Sequence, residues 1–249
     1  MKPSILQMPV MGQRRAVLNR IRSRANDFGL KKTDVRPFCL RLYAELVNDR
    51  NSLTFRVDDQ TTSHAAEIRL DKSDALFVDR IGLGIHKVLI TDSIEEPANT
   101  PLIFYPDVNF FTETDEAKTL EALYNSRLSF KTDQDVRLDN FDTRVFRSVP
   151  EQQYNAAAAV LGTAAQAVPA NAPAYKSPDD YMYDIVTNFG IWGNKRNEVT
   201  ISLGTGDLGH VAGAATHQNY AVLLLEGFQI VNGAEGATKS ALNQLFSDM

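Results

Sequence analysis

Cysteine, histidine and long apolar runs are all scarce in this chain of 249 residues, and each scarcity excludes something. The one cysteine, Cys39, allows no intrachain disulfide, so folding in a reducing cytoplasm is expected. The four histidines, His64, His86, His210 and His217, form neither a His-x-His nor a His-Glu-x-x-His pair, which removes the usual spacings of a zinc site. No flanking motif supports a Cys39–histidine catalytic pair, and Gly-x-Ser-x-Gly does not occur. The longest strongly apolar run, Ala221–Leu225, is far short of the roughly 20 residues that cross a bilayer. Lys2, Pro3, Gln7 and Pro9 interrupt Met1–Met11, which therefore does not read as a signal peptide. No repeat of about 20–50 residues is visible, which disfavours propellers and solenoids. These absences describe a soluble, non-enzymatic chain with no cofactor and no metal site.

What is present is a charge split. Within residues 1–32 the cations Lys2, Arg14, Arg15, Arg20, Arg22, Arg24, Lys31 and Lys32 face only Asp27, a net of +7. The whole chain carries −5, so residues 33–249 carry −12. A cationic arm of residues 1–35 joined to an anionic body of residues 36–249 suggests that the arm touches something the body does not. Val17, Leu18, Ile21, Ala25 and Phe28 recur at helical spacing, with Arg15, Arg20 and Arg22 off that stripe and Gly29 as a stop. The arm is thus an amphipathic helix that can pack as well as attract.

From Arg36 the hydrophobic period changes to two. Phe38, Leu40, Leu42, Ala44 and Leu46 alternate with polar neighbours, and Leu53, Phe55 and Val57 resume the pattern after Asn48-Asp49-Arg50-Asn51, which predicts a hairpin. Further extended segments are expected at Glu67–Leu70, Ala75–Ile90, Leu102–Tyr105, Arg127–Lys131, Val136–Phe146, Val199–Leu203 and Ala221–Val231. In Asp79–Val88, Gly82 and Gly84 share one face, a sign of a bulge or of another backbone coming close. Two more helices are expected. Thr114 caps a short one through Ala117, Leu120, Leu123 and Tyr124, and residues 237–249 place Leu242, Leu245, Phe246 and Met249 on one side. The Ala/Pro-rich stretch 150–178 reads as a long external loop within one domain. The fold expected is mainly β, an antiparallel sandwich with a helical N-terminal arm, a short inserted helix and a C-terminal helix.

Three motifs carry a chemical alternative. Gly204-Thr205-Gly206-Asp207-Leu208-Gly209 matches G-x-G-x-x-G after a strand, but a dinucleotide fold needs several βα units and only 40 residues follow it. Asp133, Asp135, Asp139 and Asp142 crowd together, yet Leu138 and Arg144 occupy the positions where a calcium loop requires glycine and glutamate. Phe141, Arg144, Phe146 and Arg147 interleave aromatic and basic residues, a pattern that fits an amphipathic sheet as well as a single-strand nucleic-acid surface.

About eight to ten extended segments, a helix at Asp115–Tyr124, the loop Glu151–Ser177 and a cationic segment ahead of the body together resemble the jelly-roll coat proteins of small icosahedral viruses and phages. That resemblance implies a structural virion protein, synthesised in the host cytoplasm, that self-assembles with identical subunits into a shell around the genome. It gives Arg14, Arg15, Arg20, Arg22, Arg24, Lys31 and Lys32 the contact with nucleic acid or a neighbour. Val17, Ile21, Phe28, Leu242, Leu245 and Phe246 become apolar contacts between subunits, and other virion proteins are further partners. The alternative is a ligand- or carbohydrate-binding sandwich of a tail or adhesion module, for which Tyr175, Tyr181, Tyr183, Phe189 and Trp192 are the candidate aromatics. A nucleotide-cofactor enzyme using Gly204–Gly209 is the remote third.

Overall fold

Residues 217–230 contain the most apolar stretch of the body, and they form its central strand. The computed structural model describes residues 18–19, 35–57, 64–91, 94–96, 101–107, 110–111, 115–149, 181–204 and 208–234. Ten strands are described: β1 (Val35–Glu45), β2 (Ser52–Arg56), β3 (Ala75–Thr91), β4 (Ile94–Glu96), β5 (Leu102–Ile103), β6 (Arg127–Thr132), β7 (Asp135–Asp142), β8 (Tyr183–Trp192), β9 (Asn197–Ser202) and β10 (His217–Ile230). One helix, α1 (Glu116–Tyr124), lies between β5 and β6. All the strand pairs are antiparallel.

The first sheet runs β1-β10-β3, and the far edge of β3 is shared by β8, β5 and β4 in succession. The second runs β2-β9-β6-β7. Among the eight longer strands the partners are nested: first with last (β1 with β10), then β2 with β9, β3 with β8 and β6 with β7. The two sheets share one apolar core. Leu40, Leu42, Val78, Ile81, Leu83, Ile85, Leu223 and Leu225 of the first meet Leu53, Phe55, Leu128, Phe130, Val199 and Ile201 of the second. Each such side chain, fully buried, contributes about 1.5–3 kcal/mol of transfer free energy.

The expected hairpin between β1 and β2 is not formed. All 11 residues of β1 pair with β10, from Val35 opposite Ile230 to Glu45 opposite Tyr220, while β2 pairs with β9 in the other sheet. Leu46 and Leu53 point into the same core, so the chain turns a corner of the sheets and the alternation continues undisturbed. A period of two does not distinguish that corner from a hairpin. Segment 67–70 contributes only an isolated bridge, Ile68 opposite Arg41. The extended segment expected to reach Phe146 ends at Asp142, whose carboxylate accepts from the Arg144 N–H at 3.0 Å and caps a 3-10 turn over Thr143–Phe146. Helix α1 begins one residue later than expected. Asp115 holds the N-cap position with φ 61° and makes no side-chain cap bond.

A bulge breaks the register where Val78 pairs with Gly227 and Arg80 with Glu226, skipping Asp79. Gly227 is required there, because a Cβ would collide with the Phe77 carbonyl across the strands. On the outer face of β3, Cβ atoms at Gly82 and Gly84 would meet Met182 and Tyr181, and Ile103 and Leu102, respectively. This is the close approach of another backbone that the glycines signalled.

Candidate assembly surfaces and a buried polar cluster

The first sheet is apolar on both faces. Its outer face carries one cluster of Val35, Ala75, Phe77, Trp192, Phe228, Ile230 and Ala234 at one end. A second, at the other end, holds Tyr43, Val88, Phe104, Tyr220, Val222 and Leu224, with Tyr181, Met182, Leu102 and Ala66 packed onto it. Between them, Arg80 is almost fully buried and reaches Asp184 and Glu226, each at 3.3 Å. A sheet covered on both sides reads as near-continuous apolar strands. That is why β10 is buried at 12 of its 14 positions.

The end cluster has a visible cover. Leu18 and Asn19 are helical, Leu18 packs against the Trp192–Phe228 cluster, and Asn19 is exposed. The other candidate contact residues, Arg14, Arg15, Val17, Arg20, Ile21, Arg22, Arg24, Phe28, Lys31, Lys32, Leu242, Leu245 and Phe246, lie outside the described residues, as do the loop 150–178 and the C-terminal segment 237–249.

At the opposite end of the body a polar cluster is buried under α1. Glu116, the first residue of the helix, is fully buried; its Oε1 accepts from Asn219 Nδ2 at 2.5 Å and lies 2.7 Å from His217 Nε2. Asn219 also donates to the Val211 carbonyl at 3.1 Å. The start of α1 is therefore tied to β10 and to the loop after β9, and Glu116 Oε2 and Asn219 Oδ1 have no protein partner. A third set stacks on the outer face of the first sheet. Tyr43 lies on His64 with ring centroids 4.3 Å apart, and its hydroxyl meets His86 Nδ1 at 3.2 Å. Sequence spacing signalled neither set, because the partners stand 101 and 43 residues apart.

The motifs with chemical alternatives resolve individually. The segment after β9 leads to β10 of the other sheet through turns at residues 209–212 and 215–216, and no helix opens among its described residues; Gly204 has φ 83°. Antiparallel neighbours β2 and β6 flank β9, whereas a dinucleotide fold needs parallel strands. The four aspartates are spread along the β6–β7 hairpin, each with its own partner: Asp133 with Lys195, Asp135 with Arg137, Asp139 with Ser129, Asp142 with Arg144. Arg147 is held by Glu121 at 2.7 Å and Phe146 is fully buried, so the aromatic and basic series is not one exposed surface. Phe189 and Trp192 are likewise buried, and of the aromatics proposed for glycans only Tyr183 is substantially exposed among the described residues. Burial first, then the Glu226 carboxylate, pushes the Cys39 thiol up, which disfavours the thiolate a nucleophile requires.

An open groove of about 680 Å³ lies beside the ends of β1 and β2, lined by Arg50, Arg56, Arg69 and Arg196 together with Glu45, Asp49 and Glu198. Arg69 is engaged by Glu67 at 2.8 Å and Arg196 by Glu198 at 2.9 Å, so the groove presents mixed charge. Among the described residues no helix is long and apolar enough to cross a membrane. No family model matches this sequence, and neither does any curated protein.

Proposed function

We propose that the chain is a non-enzymatic structural protein of a virion, a capsid subunit whose body is a single jelly roll and whose copies assemble into a closed shell around a genome. The nested pairing of the eight longer strands carries this reading. A long antiparallel ribbon in which first pairs with last and the middle two pair with each other, rolled so that β10 also meets β3 and β9 meets β6, produces the two four-strand rows β1-β10-β3-β8 and β2-β9-β6-β7. Such double-sheet rolls of eight strands are used by viral capsid and lectin domains and by cupins.

Two features favour the structural use. The space between the sheets is filled by Phe55, Tyr124, Phe130, Phe146 and Phe189, so the interior is a packed core rather than a ligand chamber. A cationic segment of net +7 precedes an anionic body, as suits a subunit that meets different partners on its two sides. Neighbouring copies are the principal partners, with genome contact through the arm as a second role.

Light scattering on the purified full-length chain tests the reading. Large particles of narrow size distribution are expected, and a strictly monomeric species at high protein concentration overturns it. Deleting residues 1–32 separates the two roles of the arm, because loss of assembly and loss of nucleic-acid content are read independently.

A further inference from the structure

The inner face of the first sheet turns polar beneath α1. Ile81, Leu83 and Ile85 of β3 and Ala221, Leu223 and Leu225 of β10 alternate into the core, and the next residues in step are Lys87 and Asn219. These two are direct partners in the register of the strands. Opposed side chains of an antiparallel pair have Cβ atoms about 4.5–5.5 Å apart, which puts the Asn219 amide within the span of the flexible lysine stem. Lys87 is 9% exposed and Asn219 and Glu116 are 0% exposed, so the group is closed to water. The Lys87 ammonium donates to the Phe110 carbonyl at 2.9 Å and stands 5.4 and 5.8 Å from the ring centroids of Phe110 and Phe111. Asn219 Nδ2 lies 2.5 Å from Glu116 Oε1, while Glu116 Oε2 and Asn219 Oδ1 have no protein partner. An amine, an amide and a carboxylate already bonded to that amide's nitrogen are the components of an amide exchange.

We propose that Lys87 and Asn219 form an intramolecular isopeptide bond that joins β3 to β10, with Glu116 carrying the proton. Giving up the Phe110 carbonyl and turning about its outer bonds brings Lys87 Nζ to Asn219. Glu116 takes a proton from the ammonium, and the freed amine lone pair makes a bond to Asn219 Cγ. The Cγ–Nδ2 bond then breaks, and Nδ2 departs as ammonium with the proton held by Glu116 and a second one from the attacking nitrogen. One amide replaces another, nothing is oxidised or reduced, and no co-reactant is needed. The same burial that brings the three groups together shields the new bond from hydrolysis. His217, whose Nε2 is 2.7 Å from Glu116 Oε1, positions the carboxylate. The bond is independent of whether the chain builds a shell, and it is read on isolated subunits.

Intact mass spectrometry of the full-length chain, after incubation in its folded state at neutral pH, tests the proposal. The parent is expected to be lighter than its sequence by one ammonia, and a tryptic digest to contain a branched peptide joining the Lys87 and Asn219 segments with no cleavage after Lys87. Lys87→Arg and Glu116→Gln are expected to keep their full masses. Because Lys87→Arg cannot form the bond, it is also the background in which the hydrogen bonds of Glu116 are measured by themselves. A folded parent at its full mass refutes the bond. An equal loss of ammonia in the parent and in Lys87→Arg assigns the loss to cyclisation of an asparagine on its own backbone and refutes it as well. A Glu116→Gln chain that crosslinks as fast as the parent overturns the part given to Glu116.

Discussion

Removing the carboxylate of Glu116 should destabilise the fold out of proportion to the helix position it occupies. In a first helical turn an acidic residue is ordinarily exposed, and its loss costs a few tenths to about 1 kcal/mol through the helix dipole. Glu116 is fully buried and meets both His217 and Asn219. In Glu116→Ala, His217 Nε2 loses its carboxylate partner, and a buried polar group left unsatisfied costs about 1–3 kcal/mol. Asn219 keeps its bond to the Val211 carbonyl at 3.1 Å and loses less. With the void left by the missing side-chain atoms, the expected total is roughly 2–4 kcal/mol. Glu116→Gln retains an acceptor oxygen in place and should cost less than half as much. Urea unfolding followed by Trp192 fluorescence measures both. A loss below about 1 kcal/mol for Glu116→Ala, or equal losses for the two variants, refutes the claim that this cluster ties α1 to β10.

Other consequences follow from the same geometry. Burial, reinforced by Asp107, pushes the Tyr105 phenol up to about 12 from an ordinary 10.0, and burial raises Tyr43 and Tyr124 as well. A raised phenol favours the folded state below its unfolded value, and that contribution is lost as pH rises from 10.0 through about 12. Tyrosinate absorbance of the native protein should therefore show some of the 8 tyrosines ionising late, with the urea midpoint falling in the same interval; simultaneous titration of all of them near 10.0 while the fold persists contradicts this. Gly227→Ala drives a Cβ into the Phe77 carbonyl at the bulge and should cost about 1–3 kcal/mol or more in the same urea assay, whereas a stability within about 0.5 kcal/mol of the parent rejects the close approach.

The long strands were legible because their period is unbroken: β3 and β10 lie within one to four residues of the segments read from Ala75–Ile90 and Ala221–Val231. Pairing was not legible at β1 and β2, since alternation is the same through a hairpin and through a corner between sheets. Strand β8 escaped notice because Tyr183, Phe189 and Trp192 invited reading as exposed aromatics, whereas Phe189 faces the core and Trp192 the outer cluster. The Glu116 cluster was hidden for a different reason. Local sequence marks an acidic residue as suited to a helix start, and only the fold brings residue 217 to it. Of the arm's apolar stripe only Leu18 lies among the described residues, and it packs on the Trp192–Phe228 cluster; the ion pairs of Arg80 with Asp184 and Glu226 join three different strands that no local pattern links.

Electron microscopy of the purified full-length protein, imaged as particles and reconstructed, tests the central claim most directly. The account predicts closed shells of uniform diameter in which each subunit follows the β1-β10-β3-β8 and β2-β9-β6-β7 rows. Dispersed monomers at every concentration, with no ordered assembly, would contradict it.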